Sequence, residues 1–248
     1  MTRSQVLQEL HDRIAPVTLS REQLLTVPEP LLPLFPLGGL QRGTSVGFDG
    51  AGSTSVALTL AASTLGTDRW MAIVGLEELG LLAASELGVR LDRLLLIEST
   101  QSTQLAAVAA ALVEAVDIIV IHPRKRLGAR DARRLTARSK ERGTVLFHLD
   151  GGRNWPGVLD LEITTSAERW EGLGQGHGHL RQRHLTVSTF GRRSSARHRQ
   201  TSILLPGPTG GMAPNTAVPD TAVPDTAPID TAPPIDAATA ERHYARAG

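Results

Sequence analysis

A glycine-rich segment, placed between a predicted strand and a predicted helix, carries the clearest chemical signal in the sequence. It reads Gly47-Phe48-Asp49-Gly50-Ala51-Gly52-Ser53-Thr54. The spacing is that of the phosphate-binding pattern G-x-x-x-x-G-K-[ST], whose backbone wraps a phosphate and whose lysine reaches the β- and γ-phosphates. Ser53 stands at the lysine position and cannot supply that charge. We interpret the candidate cofactor-binding residues Gly47, Gly50, Gly52, Ser53 and Thr54 as a vestigial loop, with weak nucleotide binding and true ATPase activity as the alternatives.

The acid that would complete a nucleotide-hydrolysing site is also missing. The apolar run 118–121 ends in His122, where an aspartate would hold the water shell of Mg²⁺. A neutral imidazole is a poor ligand for that ion, which prefers oxygen. The sequence therefore predicts no catalytic residue, no metal site, no cofactor and no enzymatic activity. His177 and His179 give a weak metal signal, and we expect a close-packed turn around them.

Arginines gather in two segments that could bind phosphates or acidic groups. Residues 124–142 hold nine basic and two acidic side chains, and Arg130, Arg134 and Arg138 recur at the four-residue spacing of one helix face. Residues 181–199 are basic and free of acids. The predicted DNA or partner surface comprises Arg124, Lys125, Arg126, Arg130, Arg134, Arg138, Arg192, Arg193 and Arg197. A solvated surface without a partner is the alternative for both segments.

Composition excludes other kinds of site. The 248 residues include no cysteine, which removes thiol nucleophiles, disulfides, thiolate zinc sites and iron–sulfur clusters. Only Lys125 and Lys140 among the 26 Lys and Arg residues are lysines, so lysine chemistry has two positions at most. The sequence shows neither an apolar run of roughly 18 residues nor a signal-peptide pattern. We expect a soluble, cytoplasmic protein without a membrane partner.

Strands and helices alternate through the middle of the chain. Strands are predicted at 45–48, 70–74, 94–97, 118–121 and 145–148, and helices at 54–65, 77–87, 103–115 and 129–142. The strands 94–97 (LLLI) and 118–121 (IIVI) are apolar throughout, which is typical of a parallel sheet covered on both faces. Further strands are predicted at 159–164, 184–189 and 202–205. The predicted fold is α/β, a doubly wound and mainly parallel sheet with antiparallel strands at its C-terminal end.

Three regions are predicted along the chain. Residues 1–36 form a helical N-terminal lead, with helices at 4–13 and 20–26, and residues 37–207 form the core. Residues 208–248 are rich in Pro, Ala, Thr and Asp and repeat a Thr-Ala-x-Pro-Asp unit. Because proline at nearly every fifth position forbids helices and central strands, we expect a disordered tail there.

Several stretches, in order, resemble the RecA-type ATPase core over residues 36–207. They include LGGLQRGTSVGFDGAGSTSVALTL, ELGVRLDRLLLIE and VDIIVIHP. With the signature RW-x-GLG-x-GHG-x-LR, the chain is similar to the actinobacterial ImuA-type (ImuA′) mutasome accessory family. The sequence departs from RecA at Ser53 and His122, and the two segments that bind DNA in RecA look shortened, to 123–128 and 151–157.

The resemblance implies a non-catalytic accessory protein, or adaptor, in SOS-induced translesion DNA synthesis. Its implied partners are an ImuB-type inactive relative of Y-family polymerases and an error-prone DnaE-type polymerase, with RecA and DNA as further candidates. The implied location is cytoplasmic, with nucleoid association when DNA is damaged. The alternative is a nucleotide- and DNA-binding RecA paralogue with weak or composite-site ATPase activity, completed by an arginine of a neighbouring subunit such as Arg193.

Overall fold

Runs of aliphatic residues form the centre of a large sheet. The computed structural model describes residues 24–98, 102–122, 126–173, 178–191 and 198–215. Strands β4 (Met71–Val74), β6 (Ile118–Ile121) and β7 (Val145–His148) are buried at every position. Strands that are apolar throughout need cover on both faces, and these three receive it.

The sheet has nine strands among the described residues. The strands not yet introduced are β1 (Leu24–Leu25), β2 (Leu40–Gln41), β3 (Ser45–Gly50), β5 (Leu94–Ile97), β8 (Leu161–Leu173), β9 (Gly178–Gly191), β10 (Arg199–Leu204) and β11 (Ala213–Pro214). β1 pairs with β2, and the other nine follow the order β11-β10-β9-β8-β3-β7-β6-β4-β5. Neighbours from β8 to β5 are parallel, whereas β8 to β11 pair antiparallel. The predicted α/β class, with a mostly parallel sheet and antiparallel strands, is confirmed.

Helices pack on both faces of this sheet. The α-helices of the described ranges are α1 (Ser53–Leu65), α2 (Leu81–Glu86), α3 (Ser102–Leu112) and α4 (Ala129–Arg142). One hydrophobic core contains residues of α1 and α2, and a second contains residues of α3 and α4. β6 supplies alternate side chains to the two cores, since Val120 lies in the first and Ile119 in the second.

Two features of the parallel part differ from the prediction. β5 is the last strand of the sheet, and Leu95 and Leu96 are 37% and 39% exposed. The expectation that this strand is covered on both faces is therefore wrong, because an apolar sequence does not distinguish an edge from a centre. The predicted helix at 77–87 is also shorter, since α2 spans only Leu81–Glu86.

The last strands are much longer than predicted. β8 and β9 form a hairpin whose register shifts between Ala167 and Arg169 and between Glu171 and Leu173. Such β-bulges let a hairpin continue past the end of the core while it bends. His184 Nε2 donates to Glu171 Oε1 at 2.7 Å. This hydrogen bond, more than the nearby Arg169, holds the pKa of the Glu171 carboxyl below its usual range.

The chain ends differ in part from the predicted regions. Leu24–Leu25 forms β1 where the sequence predicted the end of a helix, and Glu29–Leu34 forms a 3-10 helix. The chain divides into two units, Met1–Asn215 and Thr216–Gly248, so residues 208–215 belong to the first. The predicted helix at 4–13 and the remainder of the predicted tail lie outside the described residues. Within the described ranges, every helix is too short or too polar to span a bilayer.

Candidate functional site

The first half of the glycine segment, residues 47–50, is built into the sheet, and the segment ends in the first turn of α1. β3 continues through Gly50 and pairs with β8, with Phe48 opposite Ile163 and Gly50 opposite Thr165. Phe48 is fully buried in the first core. In a phosphate-binding loop these positions lie between strand and helix and turn their N–H groups toward the phosphate. Here only two residues, Ala51 and Gly52, separate β3 from α1.

The glycines are explained by close packing. A Cβ on Gly47 would lie 2.6 Å from Leu159 Cδ1, and one on Gly50 would lie 2.0 Å from the carbonyl oxygen of Thr165. Gly50 also has φ 93°, a value that side chains other than glycine rarely adopt. Thr165 Oγ1 bridges the turn, lying 3.2 Å from the Asp49 carbonyl oxygen and 3.0 Å from that of Ala51. Ser53 and Thr54 follow as the first residues of α1.

Arg183, which the sequence placed in the basic segment 181–199 without linking it to the glycine segment, covers the end of that segment. Arg183 Nη1 would lie 2.9 Å from a Cβ on Gly52, and its guanidinium stacks 5.3 Å from the ring centroid of Trp170. Trp170 and Arg183 face each other across the β8–β9 pair. The sequence shows Arg183 between Gln182 and His184 within the basic segment, but nothing there links it to a glycine 131 positions earlier.

The acid within the segment is paired inside the chain. Asp49 Oδ1 accepts the backbone N–H of Gly50 at 2.9 Å, and Arg153 Nη2 lies 3.4 Å from the same oxygen. The N–H of Gly50 is thereby directed to a carboxylate and not to a ligand. These residues do not fit a nucleoside triphosphate, since the loop has two residues, no lysine and an internal negative charge.

His122 is held by Asp150, the first residue of the short 3-10 turn (Asp150–Gly152) that follows the neighbouring strand β7. Its Nε2 donates to Asp150 Oδ2 at 2.8 Å, which joins the ends of β6 and β7. Asp150 has φ 58°, an unusual value for an aspartate. Among the described residues no group of three His, Asp or Glu side chains is arranged to hold a metal ion. His177 lies outside the described residues, and His179 is an exposed residue of β9 and not part of a close-packed turn.

A buried histidine lies beside this site. His148 at the end of β7 stacks on Trp155 with ring centroids 4.1 Å apart, and neither ring nitrogen of His148 has a hydrogen-bond partner. Burial lowers the pKa of the His148 imidazole to about 3, so the ring is neutral near pH 7. Trp155 is only 5% exposed, which leaves its face closed to a stacked base in this conformation.

The predicted basic strip on α4 is split into two parts. Arg138 and Arg142 both pair with Glu114, which follows α3, and Lys140 pairs with Asp160. The amino-terminal part is exposed and forms no ion pair with the described residues; it consists of Arg126, Arg130, Arg133 and Arg134. Arg124, Lys125, Arg192, Arg193 and Arg197, which the prediction included, lie outside the described residues.

Comparison with known proteins places the chain in a family. Residues 33–157, half of the chain, match the family model described as the MT3502 N-terminal domain. The chain belongs to the MT3502 N-terminal domain family. The match includes the glycine segment, His122 and Asp150, whereas the covering pair Trp170 and Arg183 lies beyond it.

A curated protein is similar to part of this chain. The uncharacterized protein Rv3395c of Mycobacterium tuberculosis (strain ATCC 25618 / H37Rv) is 36% identical over 109 residues, which is 44% of this chain and 52% of the relative. The matched stretch thus spans about half the length of that relative.

Proposed function

We propose that this member of the MT3502 N-terminal domain family is a non-catalytic accessory protein of SOS-induced translesion DNA synthesis, with a RecA-like core. In this proposal it is an ImuA-type adaptor that joins an ImuB-type inactive relative of Y-family polymerases to an error-prone DnaE-type polymerase. RecA and DNA are further proposed partners. The proposed location is cytoplasmic, with nucleoid association when DNA is damaged.

One observation carries the non-catalytic part of the proposal. Residues 47–50 of the glycine segment pair with β8, and the N–H of Gly50 donates to Asp49 Oδ1, so the first half of the segment is used within the chain. His122 at the end of β6 is bound to Asp150 and is not an oxygen ligand for Mg²⁺. A fold that keeps the strand, glycine turn and helix of a nucleotide-binding core, but lacks its lysine and its acid, is suited to presenting binding surfaces to partner proteins.

The RecA-like and ImuA-type parts rest on sequence resemblance together with this architecture. A mostly parallel sheet follows the glycine turn, and an antiparallel hairpin follows the parallel strands. The described residues of the signature that resembles the ImuA type, 169–173 and 178–181, lie in β8 and β9, where Trp170 stacks with Arg183, whose guanidinium lies beside Gly52.

One observation favours a second function, nucleotide and DNA binding with a composite ATPase site. Arg183 brings a positive charge beside Gly52, next to the start of α1. A guanidinium at that position has the charge to meet a phosphate if the hairpin moves. The Arg183→Ala variant distinguishes the two functions. It should lower nucleotide affinity only if the protein binds nucleotide, as the second function requires.

The adaptor function is tested by capture of the two polymerase-complex partners. The full chain is immobilised and offered a purified ImuB-type protein, a DnaE-type polymerase, or both, with bovine serum albumin as the unrelated control. We expect capture of the ImuB-type protein and, through it, of the polymerase, with no ATP requirement. Absence of both, or capture that requires hydrolysable ATP, would overturn the proposal.

DNA contact is tested through the split strip on α4. Arg130→Ala/Arg134→Ala should weaken DNA binding and lower the slope of log K against log salt by about 2, because each phosphate contact contributes about 0.9. Arg138→Ala is the matched control, since that guanidinium pairs with Glu114. Equal effects of the double variant and the control would remove DNA contact by this surface from the proposal.

A further inference from the structure

A groove of about 740 Å³ lies at the amino ends of β3, β7 and β8, on the side of the sheet away from the glycine segment. It is bounded by the turn after β2, by the end of α4 and by the residues that precede β8. Two apolar side chains of its lining, Leu37 and Val158, are 55% and 52% exposed. The buried apolar residues of the lining are Leu34, Phe35, Leu40 and Leu161.

Close backbone packing fixes the walls of this groove. A Cβ on Gly43 would lie 2.9 Å from the Cα of Lys140, so the turn after β2 packs directly against the end of α4. A Cβ on Gly39 would lie 2.7 Å from the carbonyl oxygen of Leu25, so β1 packs as closely on the start of β2. Because walls held by such contacts do not move inward, they leave the exposed apolar side chains of the groove uncovered.

The cations around the groove are paired within the chain. The pairs are Arg42 with Asp117 at 3.2 Å, Lys140 with Asp160 at 3.2 Å and Arg142 with Glu114 at 3.6 Å. The lining also includes the carboxylate of Glu141. Phosphates need unpaired cations, so these charges disfavour a nucleotide or a nucleic acid as the occupant. The part of the groove that still needs cover is apolar.

The register of β1 directs the preceding chain to this groove. β1 pairs antiparallel with β2, with Leu25 opposite Leu40 and Leu24 opposite Gln41. The chain that precedes Leu24 is therefore directed toward the residues that follow Gln41. Those residues, 42–44, line the groove. Residues 1–23, outside the described part of the chain, thus join the fold beside the groove.

The sequence of this amino-terminal segment contains an apolar stripe with helical spacing. Its members are Val6, Leu7, Leu10 and Ile14. On a helix they lie within an arc of about 100°, the width of a stripe that packs on an apolar surface. The helix predicted at 4–13 would be about 15 Å long. Residues 15–23, which connect it to β1, can span up to about 30 Å, so the helix can reach the groove.

We propose that residues 4–13 form a helix that lies in this groove and covers Leu37 and Val158 with its apolar stripe. An amphipathic helix in an apolar groove is a recurring mode of recognition. Because a short connection holds the segment beside the groove, its effective concentration there is roughly millimolar, which favours it over a second copy or another protein. The proposal is independent of nucleotide binding and of the polymerase partners.

The absence of cysteine makes thiol protection a direct test. The full-length Val158→Cys variant is treated with a maleimide, and its rate of labelling is compared with that of Leu173→Cys. Leu173 is the matched control, since it is 65% exposed and lies in the hairpin, away from the groove. We expect Val158→Cys to react at least tenfold more slowly than Leu173→Cys. Equal rates in the two variants would overturn the proposal.

Substitutions on two faces of the segment assign the protection. In the Val158→Cys chain, Leu7→Glu/Leu10→Glu should raise the labelling rate at least tenfold, because a carboxylate is not buried against an apolar surface. Gln5→Glu/Gln8→Glu adds the same charge on the opposite face and should leave the rate unchanged. Protection that survives in the first variant, or is lost equally in both, would overturn the proposal. Protection that grows with protein concentration would also overturn it, because a second copy would then be the cover.

Discussion

The carboxyl end of β3 and the outer edge of β5 belong to one sheet but differ in how their polar groups are used. At the end of β3, Thr165, Arg153 and Arg183 contact the glycine segment from elements later in the chain. At β5, the outward backbone groups of Leu94 and Leu96 have no strand partner among the described residues. The end of β3, which carries the glycine-rich motif, is closed by contacts within the chain. The outer edge of β5, which carries no motif, is open.

The largest expected effect follows from adding a single methyl group at the closed end. Gly50→Ala should destabilise the fold by about 3 kcal/mol, because its Cβ would meet the Thr165 carbonyl at 2.0 Å and its φ is 93°. Gly143→Ala is the matched control, since Gly143 also has a positive φ in the left-handed helical region (φ 74°, ψ 13°), and a Cβ there would meet its nearest neighbour, Arg42 Cβ, at an ordinary 3.5 Å. It should cost about 1 kcal/mol. Urea unfolding measures both, and equal losses would show that the glycine segment is not closed by β8.

The second largest expected effect is a pH dependence of the free energy of unfolding, which comes from His148 beside the glycine segment. The imidazole of His148 has its pKa lowered to about 3, whereas an unfolded histidine titrates near 6.5. Below about pH 6.5 the unfolded state therefore binds a proton that the folded state does not. Stability should fall by about 1.4 kcal/mol per pH unit from this group, over the range between the two pKa values.

This pH dependence is measured by urea unfolding at pH 7.5 and pH 5. The wild type should lose about 2 kcal/mol more between these conditions than His148→Leu, which has no proton to bind at that position. His179→Asn, at an exposed site, should behave as the wild type. If His148→Leu keeps the full pH dependence, His148 is not buried as a neutral ring.

A smaller effect is expected from the hydroxyl that bridges the glycine turn. Thr165→Val removes the hydrogen bonds to the carbonyls of Asp49 and Ala51 and should cost about 1–2 kcal/mol. Ser166→Ala, at the next and exposed position of β8, should change stability by less than about 0.5 kcal/mol. Thermal and urea unfolding compare the pair. Equal stabilities would indicate that the turn does not depend on Thr165.

The smallest effect is expected at the open region. Leu82→Ser replaces a side chain that is 75% exposed, so the free energy of unfolding of the monomer should change by less than about 0.5 kcal/mol. Leu60→Ala in α1, where the side chain is fully buried, should cost about 3 kcal/mol. Unfolding is followed at a concentration at which the chain is monomeric. A loss at Leu82 as large as that at Leu60 would show that α2 is covered within the chain.

The sequence was sufficient to predict the sheet class and most of the parallel strands. IIVI at 118–121 and VLFH at 145–148 are buried throughout, and α4 spans Ala129–Arg142, the bounds that the sequence predicted. The sequence was not sufficient to predict that β5 lies at the edge of the sheet, because LLLI reads the same whether one strand or two strands pair with it. The length of the β8–β9 hairpin also escaped prediction, since its bulges interrupt the alternation of apolar residues.

The candidate site could be predicted only where residues close together in the sequence define it. Gly47 to Thr54 and His122 were visible as a motif with two missing charges. Arg183 and Asp150 were not, because their contacts with Gly52 and His122 arise from pairing between distant strands. The split of the α4 strip was also hidden, since the side chain that binds Arg138 and Arg142 is Glu114 on another element.

The central claim is that the glycine segment does not hold a phosphate, and nuclear magnetic resonance tests it most directly. The backbone amide signals of Gly50, Gly52 and Ser53 in the full chain are followed while Mg²⁺ and ATP are added. We predict that these signals keep their positions at millimolar ATP, in the wild type and in Arg183→Ala. Saturable shifts confined to these three amides in the wild type would contradict the claim and identify the segment as a nucleotide site.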